Sequence, residues 1–184
     1  MTRIIAGTAK GQQLRVPPKG TRPTSDRVRE AMFSRLEHLD AITDARVLDL
    51  YAGSGALGVE ALSRGAATAT FVEAHSGAAR VCEANLRALG FGDLGVVHTK
   101  QVRAFLQEPA PAQGFHTVLA DPPYDLDEAA EIIALLGPWL APEAVIMWEQ
   151  PARAEGLTWP EPLRDVGARI YGETRLNFAE LPVE

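Results

Sequence analysis

Two short stretches of this 184-residue chain carry residue types suited to chemistry. One is Asp121-Pro122-Pro123-Tyr124, directly after the apolar run Phe115 to Ala120. The two prolines lack backbone N–H groups and stiffen the turn. The Asp121 carboxylate and the Pro122 carbonyl therefore make a rigid pair of acceptors with no donor between them. Two acceptors converging on one point suit an –NH2 group. Tyr124 adds a flat face on which a planar base can stack. The plainer reading is a proline turn after a strand, with Tyr124 in the core.

The other stretch is Val47-Leu-Asp-Leu-Tyr-Ala-Gly-Ser-Gly-Ala-Leu-Gly58. An apolar strand runs into a glycine-rich turn and then a helix, and Gly53, Gly55 and Gly58 match G-x-G-x-x-G. Glu73, at the end of the next strand, is placed to accept from a ribose diol. These features predict a nucleotide-like cofactor with a free ribose beyond the carboxyl ends of the strands. Asp49 separates the candidates. A carboxylate four residues before Gly53 suits the ammonium and sulfonium of S-adenosylmethionine, and is a poor neighbour for the pyrophosphate of NAD. An Asp here can also simply cap the turn by accepting from backbone N–H groups.

The elements that must position these residues follow from periodicity. Arg3-Ile-Ile-Ala and Gln12 to Val16 are β-prone runs that suggest a small hairpin, ended by Pro17-Pro18. Thr24 or Ser25 caps a helix with Val28, Met32, Phe33 and Leu36 on its apolar face. From residue 46 short apolar strands alternate with helices: Val47–Leu50, Thr70–Val72, Gly95–Val97, Phe115–Ala120 and Ala144–Trp148, with helices over 57–63, 77–89, 102–106 and 128–136. That alternation implies a mostly parallel sheet with helices on both faces. Val166–Ile170 and Arg175–Leu181 flank Tyr171-Gly-Glu-Thr174 and predict an antiparallel C-terminal hairpin at the sheet edge. The division expected is an N-terminal hairpin and helix extension over 1–40 and a catalytic domain over 41–184.

Composition is ordinary for a globular chain, with 46% hydrophobic and 23% charged residues. The net charge of −6 argues against binding nucleic acid over the whole surface. The charge is uneven, however. Residues 1–35 carry eight basic groups and two acids, whereas the other 149 hold ten basic and 22 acidic groups. A basic arm on an acidic body is the pattern of a chain that grips a polyanion by the arm; the plainer reading is a solvated face. Cys82 is the single cysteine, so it has no disulfide partner within the chain, and its apolar helix position predicts a packed thiol. The histidines have no ligand spacing, so no metal site is expected. No apolar run is long enough to span a bilayer. The chain is expected to be cytoplasmic, soluble and monomeric, with no membrane partner.

Together the two motifs resemble the class I S-adenosylmethionine-dependent amino-methyltransferases, which have a Rossmann-like sheet and an (Asp/Asn)-Pro-Pro-aromatic signature. Arg3-Ile-Ile-Ala-Gly, Gly11 to Val16, Arg22-Pro-Thr-Ser-Asp-Arg-Val-Arg-Glu-Ala-Met-Phe and Tyr171-Gly-Glu-Thr resemble the bacterial small-subunit (16S) rRNA guanine-N2 methyltransferases. The resemblance covers nearly the whole chain. It implies methylation of a guanine N2 amine in the helix 31 loop of 16S rRNA, free or in a small-subunit assembly. It also implies that Asp49, Tyr51, Ala52, Gly53, Ser54 and Gly55 surround the methionine part, that Glu73 binds the ribose and that Ala74 lies beside the adenine. Asp121, Pro122, Pro123 and Tyr124 would hold the target base. Lys10, Arg15, Arg22, Arg27 and Arg29 would hold RNA phosphates. The family has Asp or Asn in the third-strand loop to bond the adenine amine; here Gln101 falls nearest. Other amino-methyltransferases share the four-residue motif, namely adenine-N6 enzymes on DNA or RNA and glutamine-N5 enzymes on proteins. An NAD-dependent oxidoreductase is the competing reading from another class.

Overall fold

The computed structural model describes residues 2–18 and 24–184. Strands β1 (Thr2–Arg3) and β2 (Gln13–Leu14) pair antiparallel. They precede α1 (Asp26–His38), β3 (Arg46–Leu50), α2 (Ala56–Ser63), β4 (Thr68–Glu73), α3 (Ser76–Ala88), β5 (Gly95–Thr99) and α4 (Val102–Leu106). Next come β6 (Phe115–Ala120), α5 (Ala129–Leu135), a 3-10 turn (Gly137–Trp139), β7 (Leu140–Pro151), β8 (Arg164–Tyr171) and β9 (Thr174–Glu180). The main sheet has the order β5-β4-β3-β6-β7-β9-β8. Strands β3 to β7 run parallel, and β9 enters antiparallel between β7 and β8. This is the mostly parallel α/β sheet with an antiparallel hairpin that the alternation implies.

The core has two halves, one on each face. One half holds Phe33, Leu36, Val59, Leu62, Phe71, Leu86, Met147 and Phe178; the other holds Leu48, Val72, Phe105, Ile132, Trp139, Ile146 and Trp148. All four apolar positions of α1 are buried. At about 1.5–3 kcal/mol for each fully buried large side chain, they bind α1 firmly to the sheet. Ser25 caps the helix by accepting from the Val28 N–H at 3.2 Å, which leaves Thr24 available for another role. Among the described residues, no helix is long and apolar enough to cross a membrane.

The N-terminal hairpin is shorter than the β-prone runs suggest, and the reason is local. The N–H groups of Ile5 and Ala6 donate to the Glu60 carboxylate at 2.9 and 3.0 Å instead of to a partner strand. Thr8 and Ala9 donate to the carbonyl and hydroxyl of Ser63. Gly7 permits this approach, since a Cβ there would lie 1.8 Å from the Ser63 carbonyl oxygen. Strand β7, in contrast, is longer than the apolar pattern suggests, because a register shift opposite Phe115–Thr117 lets it extend past Pro142.

Glu60 is fully buried. Besides the two arm amides, it accepts from Arg64 Nε at 2.9 Å and lies 3.6 Å from Arg29 NH1. Removing it leaves two guanidinium groups and two amides short of their anion. Glu60→Ala is therefore expected to cost about 3–5 kcal/mol in urea unfolding. A loss below about 1 kcal/mol would show that the staple is dispensable.

Candidate active site

The register of the parallel strands assembles the site. Leu50 of β3 pairs with Val72 of β4 and with Ala120 of β6, and Ala120 in turn pairs with Trp148 of β7. The residues at and just beyond these positions are therefore neighbours at one edge of the sheet. Tyr51–Gly55, Glu73–Ala74 and Asp121–Tyr124 meet there, and Gln101 joins them after β5, whose Thr99 pairs with Glu73. The edge is also where the strand order reverses, with β4 and β5 on one side of β3 and β6 and β7 on the other. Open α/β sheets bind ligands at such a switch point.

The loop after β3 is shaped by backbone requirements. Tyr51 has φ 58° and Gly53 has φ 57°. At Gly55, with φ 84°, a Cβ would lie 2.6 Å from Cys82 Sγ; at Gly58 it would lie 2.3 Å from the Phe71 ring. Only glycine fits these last two positions. Cys82 is packed and buried, and burial pushes its thiol well above the usual range.

Asp49 is 1% exposed and accepts from the Gly58 N–H at 2.9 Å, so the capping role is real. Burial raises its pKa to about 8, and the charges of Asp121 and Glu73 add to the shift while the Gly58 bond opposes it. Glu73 accepts from the Gly53 N–H at 2.8 Å and from the His75 N–H at 2.9 Å. Tyr51 donates to Glu128 Oε1 at 2.5 Å and meets Trp148 edge to face, with ring centroids 6.1 Å apart. Ala74 and Gln101 are exposed, and the Gln101 side chain makes no bond to the α4 terminus that it caps.

Asp121 sits among groups that the two motifs do not reveal. Thr24 from the arm places its hydroxyl 3.3 Å from Asp121 Oδ2 and 3.5 Å from Glu149 Oε2. The Tyr124 hydroxyl lies 3.4 Å from Glu149 Oε1 and 3.3 Å from Thr174 Oγ1. Tyr171-Gly-Glu-Thr174 thus helps to hold the aromatic residue of the other motif. Pro122, Tyr124, Trp148, Glu149 and Arg153 are among the residues lining a cleft of about 370 Å³. Glu149 carries a sequence signal: like Asp49, Glu73 and Asp121, it is an acid closing an apolar parallel strand. Asn85 carries another, as a polar residue on the buried stripe of α3. Its amide donates to the carbonyls of Arg15 (3.0 Å) and Ser54 (2.9 Å), and its oxygen accepts from the Arg15 N–H (2.9 Å).

Among the basic arm residues, Lys10, Arg15 and Arg27 are exposed. Arg22 lies outside the described residues. Arg29 is a correction: it is 1% exposed, 2.9 Å from Asp26 and turned towards Glu60, so it is a structural cation that no RNA phosphate reaches. It follows Val28 on the buried side of α1, and the charge pattern alone gives no sign of that.

Four acids meet at this edge, and Asp49 is buried with its charged form disfavoured. A cation relieves that arrangement and a pyrophosphate aggravates it. The site therefore fits the cationic cofactor better than the dinucleotide.

Comparison with known proteins agrees. The family model described as Conserved hypothetical protein 95 matches residues 2–180. Ribosomal RNA small subunit methyltransferase D of Escherichia coli K12 is 43% identical over 150 residues, covering 80% of this chain and 73% of that protein. The Haemophilus influenzae protein of the same name is 39% identical over 151 residues, covering 80% and 77%. The solved structure of Escherichia coli yhhF, described as a methyltransferase, superposes with TM-score 0.88 at 36% identity, covering 100% of this chain and 99% of that one. An RNA methyltransferase from Salinibacter ruber, solved with S-adenosyl-L-homocysteine, shares the fold at TM-score 0.66 and 15% identity, covering 89% and 95%.

The raised Asp49 value has a sign that can be tested. The folded protein holds this proton to about pH 8, whereas an unfolded Asp releases it near pH 4. Its contribution to stability is therefore complete below about pH 4 and is lost as pH rises through about 8. Asp49→Asn keeps an acceptor for Gly58 and removes the ionisation. Relative to the wild type, its melting temperature is expected to gain between pH 4.5 and 8.5, by roughly 2–4 °C per kcal/mol of relieved burial. Parallel melting curves would contradict this account.

Proposed function

Because the chain belongs to the Conserved hypothetical protein 95 family, with the bacterial small-subunit ribosomal RNA methyltransferases, we propose that it methylates the N2 amine of a guanine in the helix 31 loop of 16S rRNA. The methyl donor is S-adenosylmethionine. The observation that carries this reading is Thr24: the basic arm passes through the cleft there, with the Thr24 hydroxyl 3.3 Å from Asp121. The element suited to a polyanion and the acceptor pair suited to an amine are thus parts of one site. In this reading residues 1–40 form the RNA arm and 41–184 the catalytic domain.

The methionine part would lie along Tyr51–Gly55, with its ammonium near Asp49. The ribose would reach Glu73, whose two oxygens keep lone pairs beyond the bonds to Gly53 and His75. Ala74 and Gln101 would flank the adenine. When bound, the cofactor supplies a methyl group on a sulfonium sulfur, which keeps the bonding electron pair. The protein's share is alignment. Asp121 and the Pro122 carbonyl accept the two N–H bonds of the amine, and Pro123 holds that carbonyl rigid. A base taken out of its stack lies against Tyr124. As the nitrogen lone pair forms the new bond, Asp121 stabilises the developing charge and takes the proton the nitrogen sheds. Lys10, Arg15 and Arg27 would hold the phosphates.

The direct test is transfer of a tritiated methyl group to small subunits from a strain lacking the enzyme, with the product nucleoside identified. N2-methylguanosine is expected; N6-methyladenosine would overturn the choice of base. Asp121→Ala is expected to lose transfer by at least about a thousandfold while keeping calorimetric affinity for S-adenosylmethionine within about threefold. The combined Lys10→Gln, Arg15→Gln and Arg27→Gln protein should bind RNA more weakly. Its log–log salt slope should become shallower by about 0.7 for each phosphate that is no longer neutralised. An unchanged slope would make the arm an ordinary solvated face.

A further inference from the structure

We propose that Glu149 is a positioning residue for the transfer: it shares one proton with Asp121, and that proton fixes Asp121 as the acceptor facing the target amine. The inference rests on the methyl-transfer reading and deepens it.

The geometry forces the two carboxyl groups together. Ala120 pairs with Trp148 on parallel strands, so Asp121 and Glu149 follow side by side at the end of β6 and late in β7. Glu149 is 3% exposed. One hydroxyl, that of Thr24, lies within 3.3 and 3.5 Å of both acids. A hydroxyl has a single proton and cannot satisfy two carboxylates. The Tyr124 hydroxyl serves Glu149 at 3.4 Å and also meets Thr174. The charged and titratable neighbours of Glu149 are Asp121 and Tyr124, and the Asp121 charge also reaches Asp49 on β3. Asp127 and Arg153 line the same cleft.

Two acids in such contact do not both ionise near neutral pH. Burial raises Glu149 to about 8, with the Asp121 charge adding to the shift. Burial also raises Asp121, to about 6. Between these values the pair holds one proton, and Glu149 donates it to Asp121. In that state Asp121 is still an acceptor for the amine. With both protonated, Asp121 presents a donor to a donor. With both ionised, repulsion moves Asp121 out of line with the Pro122 carbonyl. The proton that the nitrogen sheds passes to Asp121, which retains solvent access, and then to water.

The test is single-turnover methyl transfer from pH 5 to 9.5, with saturating RNA and S-adenosylmethionine, for the wild type and Glu149→Gln. The wild type should give a bell with limbs near 6 and 8, so that its rate at pH 9 is about a tenth of its plateau. Glu149→Gln donates an amide N–H to Asp121 at every pH. It should lose the alkaline limb and keep the acid one, whereas Glu149→Leu should be slower throughout. An alkaline limb that persists unchanged in Glu149→Gln overturns the proposal. So does a carboxyl 13C titration of the free protein showing Glu149 fully ionised at pH 7. A wild-type protein that transfers no methyl group to any RNA defeats the functional reading alone; the carboxyl titration then decides the shared proton by itself.

Discussion

Repulsion among carboxylates at one sheet edge is the constraint that organises this molecule. Asp49, Glu73, Asp121 and Glu149 stand at or beside the carboxyl ends of β3, β4, β6 and β7, and three of them are more than nine-tenths buried. Unopposed, they would unfold the edge or take up protons. Each is met by donors in the structure. Gly58 serves Asp49, Gly53 and His75 serve Glu73, and Thr24 and Tyr124 serve the Asp121–Glu149 pair. The glycine-rich turn is thus more than room for a ligand. Gly58 lets a helix amide approach Asp49 where a Cβ would strike the Phe71 ring.

The N-terminal arm depends on the same body for its shape. Among the described residues it is attached at several separated points: Ile5 and Ala6 to Glu60, Thr8 and Ala9 to Ser63, the Arg15 backbone to Asn85, and Thr24 to Asp121. Ile4, Ala9 and Leu14 lie in the same apolar cluster as α2 and β4. Asn85 bonds Ser54 as well as Arg15. One buried amide therefore touches both the basic arm and the glycine turn, which fixes where the arm's cations stand relative to the cleft.

Much of this was legible in the sequence. Each parallel strand of the main sheet shows as a short apolar run, and the alternation with helices set the fold class because covered parallel strands leave this pattern. The two motifs reached the carboxyl edge because their residues are contiguous. What stayed hidden depends on contacts between distant residues. Charge does not separate Arg29 from Arg27, but helical spacing does: Arg29 stands three, four and seven positions before Met32, Phe33 and Leu36 on the buried stripe, where it faces Glu60, 31 positions away. Thr24 read only as a possible cap until Ser25 filled that place. Glu149 had a signal, since four parallel strands each run into an acid, but seeing it requires the four strand ends to be compared at once.

The acidic edge also accounts for the division of charge along the chain. Phosphates are repelled by a cleft carrying these carboxylates, and at physiological salt the repulsion extends about 8 Å. A nucleobase carries no such charge. In the proposed reaction the base alone must enter, with its phosphates held outside that distance by exposed cations. Lys10, Arg15 and Arg27 belong to an arm that meets the cleft through the neutral Thr24. The geometry therefore favours a nucleotide whose base projects from its backbone, as in a loop, over one stacked in a duplex. A chain of net charge −6 can then still be suited to RNA, because the phosphates need meet only the exposed cations of the arm.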